Sequence, residues 1–208
     1  INIDNVDAAY QAVSYLTKNG HRKIALYIND KDRQYNKERL AGCLKALEES
    51  GIKDYESYIV RDVESEDDAY DKTLVLMERE EKPTAVFMFN DFMAYGVYRG
   101  IRKSGLRIPD DVSVVGFDDI PQVKYLDPPL TTLRHSVADT SKVIFEKLME
   151  QIRSQTCAHG SQVYYKGRLI IRECVRDLSG SGEGGERRGE AKLLEKGSIW
   201  DGGGMEVS

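Results

Sequence analysis

Cysteine is scarce in this 208-residue chain. Cys43, Cys157 and Cys174 are odd in number and lack metal-ligand spacing, which excludes a disulfide framework or thiolate metal site and fits reduced thiols of a cytosolic protein. Histidine is equally sparse, at three, so a histidine metal cluster is not expected, nor is any cofactor. No apolar run approaches the roughly 18 residues of a membrane span. No signal-peptide pattern opens the chain, which begins at Ile1. The net charge is −5 with no basic block, which argues against electrostatic capture of nucleic acid by this chain alone. No nucleophile–base arrangement and no glycine-rich phosphate loop are found, so an enzyme is the weakest of the function classes.

What is present is a repeating pattern of short apolar runs that end in polar residues. Pro83-Thr84-Ala85-Val86-Phe87-Met88-Phe89 runs straight into Asn90-Asp91, and Val112-Ser113-Val114-Val115-Gly116-Phe117 into Asp118-Asp119. Continuous runs without alternation suit strands buried on both faces of a parallel sheet. Ligands of open α/β sheets bind outside the carboxyl ends of such strands. Further strands are predicted at 23–28, 57–63 and 163–171. Helices are predicted around Val6–Leu16, around Leu40–Leu47 with a stop at Gly51, around Tyr70–Met77, at 92–104, and at 137–152 on Phe145, Leu148 and Ile152. Strands alternating with helices give an α/β fold with mostly parallel sheets. Residues 176–208 hold half of the chain's 18 glycines and its only tryptophan, Trp200, and are expected to be disordered or foreign to the fold.

Five segments then occur in a fixed order: Gly20-His21-Arg22-Lys23-Ile24, Arg39-Leu40-Ala41-Gly42, Asn90-Asp91-Phe92-Met93-Ala94-Tyr95-Gly96, 108–119 (Ile-Pro-Asp-Asp-Val-Ser-Val-Val-Gly-Phe-Asp-Asp), and Pro128-Pro129-Leu130-Thr131-Thr132. Together, over about 1–175, they resemble the effector-binding core of the lactose/galactose-repressor family of bacterial transcription factors. The resemblance implies a two-lobed, periplasmic-binding-protein-like fold with the effector in the cleft and three chain crossings between lobes, expected near 28–30, 133–135 and 163–165. It assigns 1–29 with 135–163 to an incomplete amino-terminal lobe and 30–134 with 164–175 to the carboxy-terminal lobe. Family members begin with a helix-turn-helix headpiece, whereas this chain opens on a segment that resembles the middle of the first lobe. Operator DNA contact is therefore expected to reside in a part outside this sequence.

The resemblance also nominates residues. Arg39 matches the family's effector arginine, whose planar fork suits paired oxygens. Asn90 matches the cleft amide, with Asp91 expected as the helix cap. Asp118 matches the cleft aspartate, and Asp119 is expected only to shape the turn. Arg33 and Tyr35 lie on the loop where the family places ligand contacts, and His135 lies on the inter-lobe crossover, where a hydrogen-bonding role is expected. His21 is expected at a helix end, favoured by the dipole. No aromatic residue stands at 63–64, where relatives stack one on the ligand, which favours a small or polar effector such as a sugar. The family implies a homodimer, here through exposed Tyr95 and Tyr98 meeting Tyr125 and Leu126 across a two-fold axis. Two function classes stay open: the sensor of a DNA-binding regulator, and an extracytoplasmic sugar-binding protein of a transporter.

Overall fold

In the computed structural model, residues 2–29, 31, 33–135, 137–154 and 164–180 are described. Six strands form one sheet in the order β3-β2-β4-β5-β6-β8: β2 (Ile24–Tyr27), β3 (Ile59–Val60), β4 (Ala85–Met88), β5 (Ser113–Asp118), β6 (Thr131–Arg134) and β8 (Arg168–Ile170). The first five are mutually parallel and only β8 runs antiparallel, against β6. A separate parallel pair joins β1 (Asn2–Ile3) to β7 (Tyr164–Tyr165).

The unbroken apolar runs follow from a sheet covered on both faces. Side chains alternate across a strand, so Ile24, Leu26, Phe87 and Phe89 pack beneath α1 (Asn5–Lys18) and α2 (Gln34–Glu49). Ala25, Tyr27, Val86 and Met88 pack beneath α3 (Glu66–Met77) and α4 (Met93–Lys103). No polar alternation survives because neither face meets water. Local signals set the helix starts. Asp4 accepts the Asp7 N–H at 2.9 Å, and Ser65 with Asp68 closes a capping box at α3. The fifth helix, α5 (Val137–Ser154), exposes Ile144, Phe145, Leu148 and Ile152, the stripe from which the helix is predicted.

Four expectations are corrected here. Residues 1–29 do not form a unit apart from 30–134: β2 is an inner strand of the six-stranded sheet, and Val13 and Leu16 of α1 are fully buried against it. The stretch near 28–30 therefore joins β2 to α2 within one unit, and β1 pairs with β7 outside that sheet. The tail does not begin at 176. Arg176 N donates to Ser113 Oγ at 2.9 Å, and Leu178 N donates to the Asn19 carbonyl at 2.8 Å. His21, 1% exposed, bridges Thr84 Oγ1 and the Arg176 carbonyl, so its role is to pin this strap rather than to balance a helix dipole. The remainder of that predicted tail, and Cys157, lie outside the described residues, among which Cys43 and Cys174 are buried free thiols.

Candidate functional site

Parallel strands end at one edge, which brings Asn90 and Asp91 after β4, Asp118 at the end of β5, and His135 after β6 to the same rim. Beside this rim lies a cavity of about 570 Å³, within the range of small-ligand sites, lined by Asn2, Ile3, Asn5, Gln34, Tyr35, Glu38, Arg39, His135, Ser141 and Ile144.

Arg39 is the best-held group. It is only 8% exposed, its guanidinium carbon sits 3.6 Å from the centroid of the Phe117 ring, and Tyr35 approaches to 5.3 Å. Its Nε donates to Asn5 Oδ1 at 3.0 Å and its Nη1 to the Phe89 carbonyl. Burial pulls its pKa down and the Asp118 charge opposes that. Asp118 mirrors it: burial pushes the carboxyl up, against the pull of Arg39 and His135. For both partners desolvation outweighs mutual attraction, so the pair gains from any further hydrogen-bonding group brought to it. Asp118 also holds φ at 117°, in a region that side chains rarely adopt, and such strain persists where the surroundings enforce it. The Nδ1 of His135 is buried without a hydrogen-bond partner. A carboxylate in a rarely adopted conformation, a buried arginine and an unpartnered imidazole nitrogen thus lie at one rim.

Asp91 does not cap the helix as expected, and Asn90 takes the hydrogen bond at the helix start. Asn90 Oδ1 accepts the N–H of Met93, the first residue of α4, at 3.2 Å. Asp91 is fully buried and accepts Thr132 Oγ1 at 2.7 Å and the Ile120 N–H at 3.0 Å, tying β4 to β6 and to the loop after β5. Burial raises its pKa to about 7 despite these bonds. Because the folded value lies above the unfolded ~3.9, its contribution is complete below that value and is lost as pH rises through about 7. Thermal melts from pH 5 to pH 9 are expected to show wild type losing stability relative to Asp91→Asn, by at most about 1.4 kcal/mol per pH unit. Parallel pH profiles for the two proteins would remove Asp91 as the titrating group.

Asp119 does more than shape a turn. Arg172 at 2.6 Å and Arg134 both bind its carboxylate; burial works against ionisation, yet these two arginines hold its pKa below the usual carboxylate value. Tyr35 lines the cavity and is 47% exposed, whereas Arg33 is an exposed residue at the start of α2 and does not line it. Val63 is buried beneath α3 and α4, so that strand end supplies no stacking surface. The sequence gives no warning of Asn5 or Glu38. The signal available was the arginine itself: a buried guanidinium requires acceptors, and a polar residue at a neighbouring helix start is a candidate.

The periplasmic binding protein-like domain family matches residues 13–175. The chain belongs to that family. Within it, the core is of the lactose/galactose-repressor kind. It is 39% identical over 179 residues to the transcriptional repressor PurR of Vibrio atlanticus, covering 85% of this chain and 53% of that protein. It is 33% identical over 178 residues to the repressor CytR of Escherichia coli, covering 86% and 52%. The chain thus spans about half the length of the repressors it matches. Among solved structures, a LacI-family regulatory protein from Chloroflexus aggregans superposes with a TM-score of 0.77 at 33% identity, covering 83% of this chain and 62% of that one. A LacI-family regulator from Enterococcus faecium with bound ribose gives 0.75 at 26% identity, covering 85% and 65%. Among the described residues, no helix is long and apolar enough to cross a membrane.

Proposed function

We propose that this chain is the effector-sensing core of a cytoplasmic, DNA-binding transcriptional repressor, and that a sugar or similarly hydroxylated metabolite binds at the Arg39–Asp118 rim. The observation that carries the reading is a ligand-sized cavity lined by the buried Arg39 and by His135, whose Nδ1 is buried without a hydrogen-bond partner, with the half-buried Asp118 carboxylate close enough to act on the arginine electrostatically. The match to repressors rather than transport proteins favours the regulator over the transporter reading, and the ribose held by the Enterococcus faecium neighbour supports the ligand class. Arg39 donates, Asp118 accepts, and Asn90 and His135 complete the set; Tyr35 supplies the apolar wall, and Arg33, which does not line the cavity, has no part in it. The effector acts by stabilising whichever arrangement of the protein it contacts better, which sets the geometry presented to operator DNA. Catalysis has no part in this reading. Titration calorimetry with D-ribose and cellobiose tests it. Removing one partner of a charge-assisted bond costs about 1.5–3 kcal/mol, so Asp118→Ala is expected to weaken sugar binding at least about tenfold. Equal affinity in the two proteins rejects the site.

The same reading includes a homodimer. Tyr98 must be removed from the interface expected of it: it is 3% exposed, and its hydroxyl donates to the Pro128 carbonyl at 3.0 Å, so it packs its own fold. Tyr125 at 78% exposure and Phe92 at 64% remain, with half-buried Tyr95 and Leu126 between core and surface. Such aromatic groups are typical interface anchors. Tyr125→Asp is expected to sediment as monomer at concentrations where wild type is a dimer; an unchanged dimer rules out this patch.

A further inference from the structure

One polar side chain in the cavity wall makes contacts that no ligand contact explains. Asn5, 7% exposed, uses both ends of its amide. Its Oδ1 accepts Arg39 Nε at 3.0 Å, while its Nδ2 donates to Glu38 Oε2 at 2.9 Å and to the Ile3 carbonyl of β1 at 3.2 Å. Glu38 is held in turn by Gln34, at 3.1 Å. Strand β1 stands outside the six-stranded sheet. Its pairing is with β7, continued by the Asp4 N–H donating to the Tyr165 carbonyl at 2.9 Å. Asn2 and Ile3 of that strand share the cavity wall with Arg39.

We propose that Asn5 is a positioning residue that couples the cavity arginine to strand β1, so that a ligand engaging Arg39 alters how firmly the β1–β7 pair is held. The chemistry calls for an amide. The position must accept from a cation on one side while donating to a carboxylate and a carbonyl on the other, and among short side chains only asparagine does both. A carboxylate here would keep the Arg39 bond, lose both donations and face Glu38 with like charge. A pull on the guanidinium is therefore transmitted through one rigid group to the Ile3 carbonyl, which shares a peptide group with the Asp4 N–H that anchors β1 to β7. The consequence for regulation rests on the reading of the cavity as an effector site; the tether can be measured without ligand.

Backbone amide exchange by NMR on the whole 208-residue chain provides the test. The readout is the Asp4 amide, with Val86 and Val115 in the central strands as internal reference. In Asn5→Ala, Asn5→Asp and Arg39→Lys, Asp4 protection is expected to fall at least tenfold while the reference amides keep their wild-type values. The Asn5→Ala/Arg39→Lys double variant should exchange no faster at Asp4 than Asn5→Ala alone, since both break one chain of contacts. Unchanged Asp4 protection in Arg39→Lys, or a double variant whose loss is the product of the two singles, overturns the coupling. If the Asn5 variants also lose the reference amides, they have unfolded and Arg39→Lys alone decides. Saturating D-ribose is then expected to raise Asp4 protection at least threefold in wild type and not in Asn5→Asp. Calorimetric silence toward sugars alongside the ligand-free pattern would reject the effector reading while leaving the tether in place, so the two failures are distinguishable.

Discussion

Replacing Gly42 or Gly96 by alanine is expected to lower the melting temperature by several degrees, although alanine is the better helix former. The chain uses the same device on both faces of its sheet. A Cβ at Gly42 in α2 would lie 2.2 Å from the Val6 carbonyl oxygen of α1, and one at Gly96 in α4 would lie 2.0 Å from the Glu66 carbonyl oxygen of α3. Both obstacles are backbone, so no rotamer change relieves them; the helices must part, and they carry buried alanines with them, Ala8, Ala9 and Ala12 on one side and Ala69 on the other. Alanine returns about 1 kcal/mol of helix propensity, but overpacking costs roughly 1–3 kcal/mol and occasionally more, and separation of a whole helix pair belongs at the upper end. A net loss of about 2 kcal/mol in each variant corresponds to a fall of roughly 4–8 °C for a domain of this size. Differential scanning fluorimetry reads this directly, and a melting temperature at or above wild type would show that the helix pairs can separate without loss.

The two glycines also mark where sequence reading succeeds and where it stops. Both lie in segments singled out by motif, Arg39-Leu40-Ala41-Gly42 and Ala94-Tyr95-Gly96, but motif alone does not say that the glycine is there to let two backbones touch. Strands and helices were legible because burial on both sheet faces leaves long apolar runs, and a run's end marks the ligand edge: Asp118 was placed on that logic, whereas Arg39, inside α2, was nominated by the resemblance alone. Lobe assignment was not legible. Strand β2 carries the same apolar pattern wherever it is inserted, and only pairing shows it between β3 and β4. Asp91 was expected to cap the helix because either type caps one, and the choice depends on where Thr132 and the Ile120 N–H fall, 41 and 29 residues further along. Tyr98 was expected at the surface because helical spacing gives a face but not which face has a partner. Asn5 was invisible for a related reason: its significance is a bond to an arginine 34 positions away.

Arg39→Ala is expected to be the most damaging single change at the rim, and its damage should grow with pH. The substitution removes a donor from Asn5 Oδ1 and from the Phe89 carbonyl, strips the cation from the face of Phe117, and deprives the half-buried Asp118 carboxyl of the first-ranking force that holds its pKa down. Deleting one partner of a buried salt bridge costs about 3–5 kcal/mol; Arg39 and Asp118 interact without a direct ion pair and Asp118 is half-buried, so their share is smaller. Asp118 can escape that cost by taking up a proton. Its folded pKa, already raised by burial, rises further without Arg39, so its contribution is intact below the unfolded value and is lost as pH rises through the folded one. The variant should therefore approach wild type in acid and diverge from it toward neutral and alkaline pH. Urea unfolding at pH 5 and pH 8 for Arg39→Ala, Asp118→Ala and the double variant closes the cycle. The double variant is expected to be more stable at pH 8 than Arg39→Ala alone, because it contains no orphaned carboxylate, and the two single losses should fail to add by more than about 1 kcal/mol. Losses that add within about 0.5 kcal/mol at both pH values would mean that Arg39 and Asp118 are neighbours without being partners. The rim would then owe its polarity to two independent groups rather than to one undersatisfied pair.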